Sequence, residues 1–233
     1  MQQTGSLVVV GGTSGLGKEV ARHYTQQGHE VVISGRDAAR AQEVALELGG
    51  RARGIAVDLA RPQEIAACLA DIAQVEGLVI TAIERDANTV REYNIERAIQ
   101  LSTIKLVGYT EVVHTLAPRF TRDASIVLFG GLAKERPYAG STTVSTVNGG
   151  ISGLTRTLMY ELAPVRVNAI HPGIVGDSPF WAGKTKALED VVARTPTRRL
   201  VQMRDVVGAV AFLLDNQAVN GVELAVDGGW VLY

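Results

Sequence analysis

Apolar residues along this chain fall in short continuous runs separated by stretches of helical spacing. The runs at 7–10, 30–34, 54–57, 78–82, 125–129, 166–170 and 223–226 are four or five residues long and dominated by Val, Ile, Leu and Ala. Runs this short, bounded by turn residues and lacking polar alternation, read as strands buried on both faces. Between them, 18–27, 38–48, 63–73, 94–116, 142–162, 187–194 and 204–214 place apolar residues three and four apart, as helices do. Gly28 closes the first helix, Gly49-Gly50 closes the second, and Pro62 stands at the start of the third. The stretch 94–116 reads as one long helix.

Continuously apolar strands alternating with helices imply a parallel sheet covered on both faces. Right-handed crossovers then give a doubly wound, Rossmann-type α/β domain with a seven-stranded parallel sheet. The 233 residues suit one such domain, expected to span 1–233. The least regular stretch, 173–186, follows a strand, and ligands of such sheets sit beyond the strand C-termini.

Composition narrows the partners. The formal net charge is −1 and no long basic run exists, which argues against a nucleic-acid or anionic-membrane surface. No apolar run approaches the ~20 residues of a membrane span. The first strand begins about six residues after Met1, leaving no room for a signal peptide, and a cytoplasmic location is expected. The single cysteine, Cys68, excludes an intrachain disulfide and reads as a small buried thiol among Ile65, Ala66, Leu69 and Ile72. His23, His29, His114 and His171 are scattered, and no metal site is apparent.

Chemistry enters at the first strand. Gly11-x-x-x-Gly15-x-Gly17 follows it and opens a helix. Glycines let the backbone approach a pyrophosphate, and a helix N-terminus aims free N–H groups at it. Thr13 and Ser14 add hydroxyl donors. The second strand ends Ser34-Gly35-Arg36, with arginine where an acidic residue would select the ribose hydroxyl of NAD. A guanidinium pairs with a 2′-phosphate, so NADP(H) is the expected cofactor; a solvated surface charge is the other reading of Arg36. Asp58 has two readings, an acceptor for the adenine amino group or a helix-start carboxylate.

With these pieces placed, the chain resembles the short-chain dehydrogenase/reductase family over nearly its whole length. Gly11 to Gly17 resembles the family's glycine motif. Asp58-Leu59 resembles its adenine-contact step, Asn168 to Gly173 its proline-glycine turn beside the nicotinamide, and Val226 to Gly229 its C-terminal strand signature. The resemblance implies cofactor contacts at Gly11, Thr13, Ser14, Gly15, Leu16, Gly17, Ser34, Arg36, Asp58, Leu59, Thr81, Ala82, Pro172, Gly173 and Val175. It also exposes departures. Counting back from Gly153-Leu154-Thr155-Arg156 puts Val144 at the family's catalytic Tyr and Asn148 at its Lys. Gly131 falls at the Ser, and Leu106-Val107-Gly108 fixes a register that puts Lys105 at the Asn. Asp177 falls where a Thr contacts the carboxamide. The chain is thus similar to a divergent branch that lacks the usual Ser-Tyr-Lys residues.

Lys105 and Asn148 exchange the residue types of the usual pair, and an amine returned to the site from the opposite helix is a candidate proton donor. A solvated helix charge or an intersubunit contact is the competing reading of Lys105. Tyr138 is a second candidate acid, or a loop aromatic. His171 is a candidate cofactor contact, or a strand-end histidine with a structural bond. Leu132, Val144, Ile174 and Phe180 are expected to line a small-molecule site, and Asp177 with Trp181 forms either a lid wall or a plain turn. The expected function is an NADP(H)-dependent reductase of a carbonyl or enone. The alternative is a non-catalytic NADP(H) binder acting as a sensor or partner subunit. The family's habit of pairing its long helices implies a homodimer or homotetramer.

Overall fold

The computed structural model describes residues 5–232. They form one α/β domain; the expected span of 1–233 reaches beyond them at both ends. Strands β1 (Ser6–Val10), β2 (Glu30–Gly35), β3 (Arg51–Ala56), β4 (Val75–Ile80), β5 (Phe120–Phe129), β6 (Arg166–Pro172) and β7 (Glu223–Val226) make a single parallel sheet. Its order is β3-β2-β1-β4-β5-β6-β7, so the winding reverses between β1 and β4. In sheets of this kind the ligand crevice lies at that reversal, beyond the strand C-termini.

Helices α1 (Gly15–Gln26), α2 (Ala38–Leu48), α3 (Pro62–Cys68), α4 (Ile95–Ser102), α5 (Tyr109–Leu116), α6 (Thr142–Glu161), α7 (Thr185–Arg194) and α8 (Met203–Asp215) complete the domain. Alternation along β1 builds the two cores. Val8 and Val10 pack with Ile65 of α3, Val112 and Leu116 of α5 and Ile151 of α6. Leu7 and Val9 face the other way, onto Val20 of α1, Val44 of α2 and Val210 of α8. Each strand therefore has to be apolar on both sides, which explains the continuous runs.

The structure revises several boundaries. β5 begins at Phe120 rather than 125, and its register against β4 slips between Val75 and Gly77. β4 ends at Ile80, leaving Thr81 and Ala82 just past the strand, at the crevice. β3 starts at Arg51 because it is an edge strand, where an arginine at the start keeps contact with solvent. The helix expected over 63–73 stops at Cys68, and this helix end leaves the thiol half-buried rather than buried. The long helix over 94–116 is continuous but not uniform. A π-helical turn, Thr103–Gly108, joins α4 to α5. Gly108 permits close packing there, since a Cβ would stand 2.7 Å from the Leu59 carbonyl oxygen.

No helix among the described residues is long and apolar enough to cross a membrane. Among the same residues, no cluster of three His, Cys, Asp or Glu side chains is arranged to hold a metal.

Candidate active site

The crevice is floored by the glycine turn between β1 and α1. Gly11 (φ 88°) lies against the β4 end, where a Cβ would stand 2.7 Å from the Ala82 nitrogen. Gly17 lies under the same turn, and a Cβ there would overlap the Gly11 carbonyl oxygen. Thr81 ties these pieces together: its Oγ1 reaches the Val10 and Gly11 carbonyl oxygens at 3.2 and 3.1 Å. Gly15 differs from its neighbours. It has φ 51°, and nothing lies within 4 Å of where its Cβ would be. No side chain caps the α1 N-terminus and no acidic residue stands in its first turn. The open face of the turn therefore presents backbone N–H groups and the positive end of a helix dipole.

Beside it, the Ser34 carbonyl accepts from Gly11 and Gly12 at 3.1 and 2.9 Å, while the Ser34 hydroxyl is buried without a partner among the described residues. A buried unpaired hydroxyl costs about 1–3 kcal/mol and marks a place where a partner belongs. Arg36 is exposed just past the end of β2, with no ion pair or hydrogen bond to a described side chain. Asp58 accepts from the Ala60 N–H at 3.0 Å and lies 3.9 Å from Arg61. That is a turn of its own backbone, not the cap of α3, which follows Arg61. Leu59 is buried against Gly108. Gly173 packs on Asp227, and Val175 is buried and pairs with Val201 in a short parallel bridge. An open glycine turn, an uncapped helix end and an orphaned Ser34 hydroxyl together fit a dinucleotide.

Beside the glycine turn lies a buried polar cluster at the ends of β4 and β5. Lys105, in the π turn, is 0% exposed. Its Nζ donates to the Phe129 carbonyl oxygen and, at 3.1 Å, to the Tyr109 hydroxyl. Tyr109 in turn donates to the Ala82 carbonyl oxygen at 2.8 Å. Burial pushes the Lys105 amine down to about 7 and pushes the Tyr109 phenol up. A solvated helix charge is therefore not what Lys105 is.

Asn148 reaches the same place from α6. A Cβ on Gly131 would stand 2.7 Å from Asn148 Nδ2, and Asn148 Oδ1 is buried without a partner among the described residues. Gly150 lets α6 come close to the π turn, since a Cβ there would meet Leu106 at 2.6 Å. Lys105 and Asn148 thus converge on the three residues Phe129 to Gly131.

Other expected residues lie elsewhere. Tyr138 is 57% exposed, on the loop before α6. His171 is buried, and its Nδ1 accepts from the Gly131 N–H at 3.0 Å, which places the ring proton on Nε2, 3.5 Å from Glu223. Burial, then the nearby Lys134 charge, pushes the imidazole down to about 4, so it is neutral. Its role here is the structural bond. Asp177 accepts from the Met203 N–H at 2.8 Å and so caps α8. Phe180 is held between cations, with Arg85 at 3.1 Å and Lys184 at 3.3 Å from the ring centroid. Tyr109 and Glu223 were not singled out by sequence reasoning. Tyr109 was legible in principle, because it stands four residues after Lys105 on one helix.

The chain is similar to known proteins over nearly its whole length. A family model described as enoyl-(acyl carrier protein) reductase matches residues 10–231. A 3-oxoacyl-[acyl-carrier-protein] reductase of Mus musculus is 29% identical over 228 residues, covering 95% of each chain. Among solved structures, a short chain dehydrogenase/reductase family protein superposes with TM-score 0.88 at 29% identity, over 99% of each chain. A variant of actinorhodin polyketide ketoreductase, solved with NADPH, gives TM-score 0.90 at 26% identity, over 100% of this chain and 99% of that one. The chain belongs to the short-chain dehydrogenase/reductase family and is an oxidoreductase of that fold.

Proposed function

We propose that the protein is an NADP(H)-dependent reductase of a carbonyl or enone in which Lys105 serves as the proton donor. The observation that carries this reading is the buried Lys105 amine at the ends of β4 and β5, with Asn148 brought to the same backbone segment. Ketoreductase relatives, one of them solved with NADPH, support the cofactor class. When bound, the nicotinamide supplies the hydride.

The glycine turn and the α1 N-terminus would hold the pyrophosphate, and the Ser34 hydroxyl would find its missing partner on the adenosine half. Arg36, free at the end of β2, would pair with the 2′-phosphate. At the reacting end, Val144 and Gly131 offer no acid. Lys105 is the nearby group whose proton is available near neutral pH, because burial has brought its amine into that range. It would give that proton to the oxygen of the developing alkoxide or enolate. Asn148 would hold a hydroxyl of substrate or ribose with its free acceptor. On this reading the chain stands in a divergent branch that lacks the usual Ser, Tyr and Lys. The site would work within a homodimer or homotetramer.

Calorimetric titration with NADPH, NADP⁺, NADH and NAD⁺, followed by a carbonyl and enone screen, tests the proposal. Preference for the phosphorylated pair with turnover supports it. Binding without turnover would leave the non-catalytic reading, and binding of none of the four would end both.

A further inference from the structure

Resting on Lys105 as the proton donor, one more assignment follows from the hydrogen bonds around it. We propose that Tyr109 is a positioning residue for Lys105. Its hydroxyl, fastened to the Ala82 carbonyl, accepts one Lys105 N–H and leaves a single direction on Nζ for exchanging a proton.

The argument is a count of bonds. Nζ is tetrahedral, and one vertex is Cε. Two others point to the Phe129 oxygen and the Tyr109 oxygen. The phenol has only one proton, and its nearest acceptor is the Ala82 oxygen at 2.8 Å, so toward Lys105 it acts as acceptor. A neutral amine satisfies both acceptors with its two N–H groups. The fourth vertex then carries the lone pair of the amine or the third N–H of the ammonium. Proton gain and loss are confined to that vertex, and neither inner hydrogen bond has to break.

The π turn makes this possible by turning Lys105 inward one turn before Tyr109. Nζ also lies 4.6 Å from the Tyr109 ring centroid, where the ring face favours the charged form. The groups packed around Lys105 add little charge. Phe129 presents a carbonyl, and Asn148, which reaches the neighbouring Gly131 from α6, is neutral. His171 of β6, whose ring feels the Lys105 charge, is itself uncharged at neutral pH. Tyr109 is thus the side chain that sets both where the Lys105 proton points and how readily it is held. Because Ala82 lies against Gly11 of the glycine turn, the same hydroxyl fixes the amine relative to the cofactor site.

The test is an NMR titration of isotope-labelled lysine side chains, with the Lys105 signal identified by its loss in Lys105→Met. Tyr109→Phe removes one acceptor that favours the ammonium. The Lys105 midpoint should fall by about one pH unit, with the fold retained. An unchanged midpoint in folded Tyr109→Phe would overturn the assignment. Should that variant not fold, 3-fluorotyrosine incorporated throughout the parent chain makes the phenol a poorer acceptor, and the midpoint should again fall. No movement there also overturns it.

Turnover separates this assignment from the reading it rests on. If Lys105 is the donor, kcat declines as pH rises through the Lys105 midpoint, and the decline moves to lower pH in Tyr109→Phe. A shifted NMR midpoint with an unmoved kcat limb would support the Tyr109 assignment and refute Lys105 as donor. A kcat limb at the Lys105 midpoint that stays put, together with the midpoint, in Tyr109→Phe would do the reverse.

Discussion

Replacing Lys105 with methionine should remove a pH dependence from folding stability. The side chain is 0% exposed, and burial lowers its amine from 10.5 to about 7. In the unfolded chain the amine holds its proton up to its ordinary value. Between the two values the unfolded state binds more protons, so stability rises with pH across that window. The burial penalty is complete below about pH 7 and gone above about pH 10.5. From pH 7 to pH 9 the relief amounts to roughly 2 kcal/mol at 1.36 kcal/mol per unit, allowing for half-protonation at the start. Methionine has similar volume and cannot titrate. It leaves the Phe129 oxygen and the Tyr109 oxygen without a donor, a cost of about 1–3 kcal/mol that does not vary over this pH range. Urea unfolding of parent and Lys105→Met, at about pH 7 and about pH 9, gives four free energies. In their double difference, titrations common to both chains cancel. The parent should gain about 2 kcal/mol more than the variant. Parallel pH profiles would show that the folded amine keeps its ordinary affinity for protons, and Lys105 would then hold its proton at neutral pH as tightly as a solvated lysine does.

Other outcomes can be checked more simply. Arg36→Ala should weaken NADPH binding by about tenfold or more, the worth of a charge-assisted contact, while leaving NADH unchanged by calorimetry. Gly17→Ala forces a methyl onto the Gly11 carbonyl and to 2.6 Å from Thr81 Oγ1, so it should lower the melting temperature and abolish nucleotide binding. His171 is depressed from 6.5 to about 4, so unfolding free energy should fall as pH drops through that window, by up to about 3 kcal/mol. His171→Ala should flatten that fall in acid denaturation curves. Phe180→Ala should make the segment around 173–186 more quickly cleaved in limited proteolysis, since the ring between Arg85 and Lys184 joins it to the loop after β4.

Much of this fold is legible in the chain because a parallel sheet buried on both faces leaves an unambiguous trace. Val8-Val9-Val10 faces two cores at once, and no polar residue interrupts it. Edges are harder to read. β3 opens on Arg51, and β5 extends back through Arg122 and Asp123, which are exposed. The glycine turn was legible because its requirements are steric and local. Family register assigned Lys105 and Asn148 to facing positions, and both do meet the Phe129 to Gly131 segment. What the chain does not display is partnership. Tyr109 stands one helical turn after Lys105, but its meaning depends on the Ala82 and Phe129 carbonyls, one just past β4 and the other at the end of β5. The π turn is equally hidden, since a single Gly108 in an otherwise helical pattern does not mark a change from α to π. Asp177 shows the reverse case. A carboxylate in a candidate lid invited a functional reading, and the fold uses it to cap α8.

The central claim is that Lys105 gives the proton. Steady-state NADPH oxidation with a carbonyl or enone that the parent turns over, measured beside Lys105→Met and with NADPH affinity determined for both, tests it most directly. Loss of the donor should lower kcat by about 10²–10⁴ while the NADPH Kd stays the same. A folded Lys105→Met that binds NADPH and turns over at the parent rate would contradict the account.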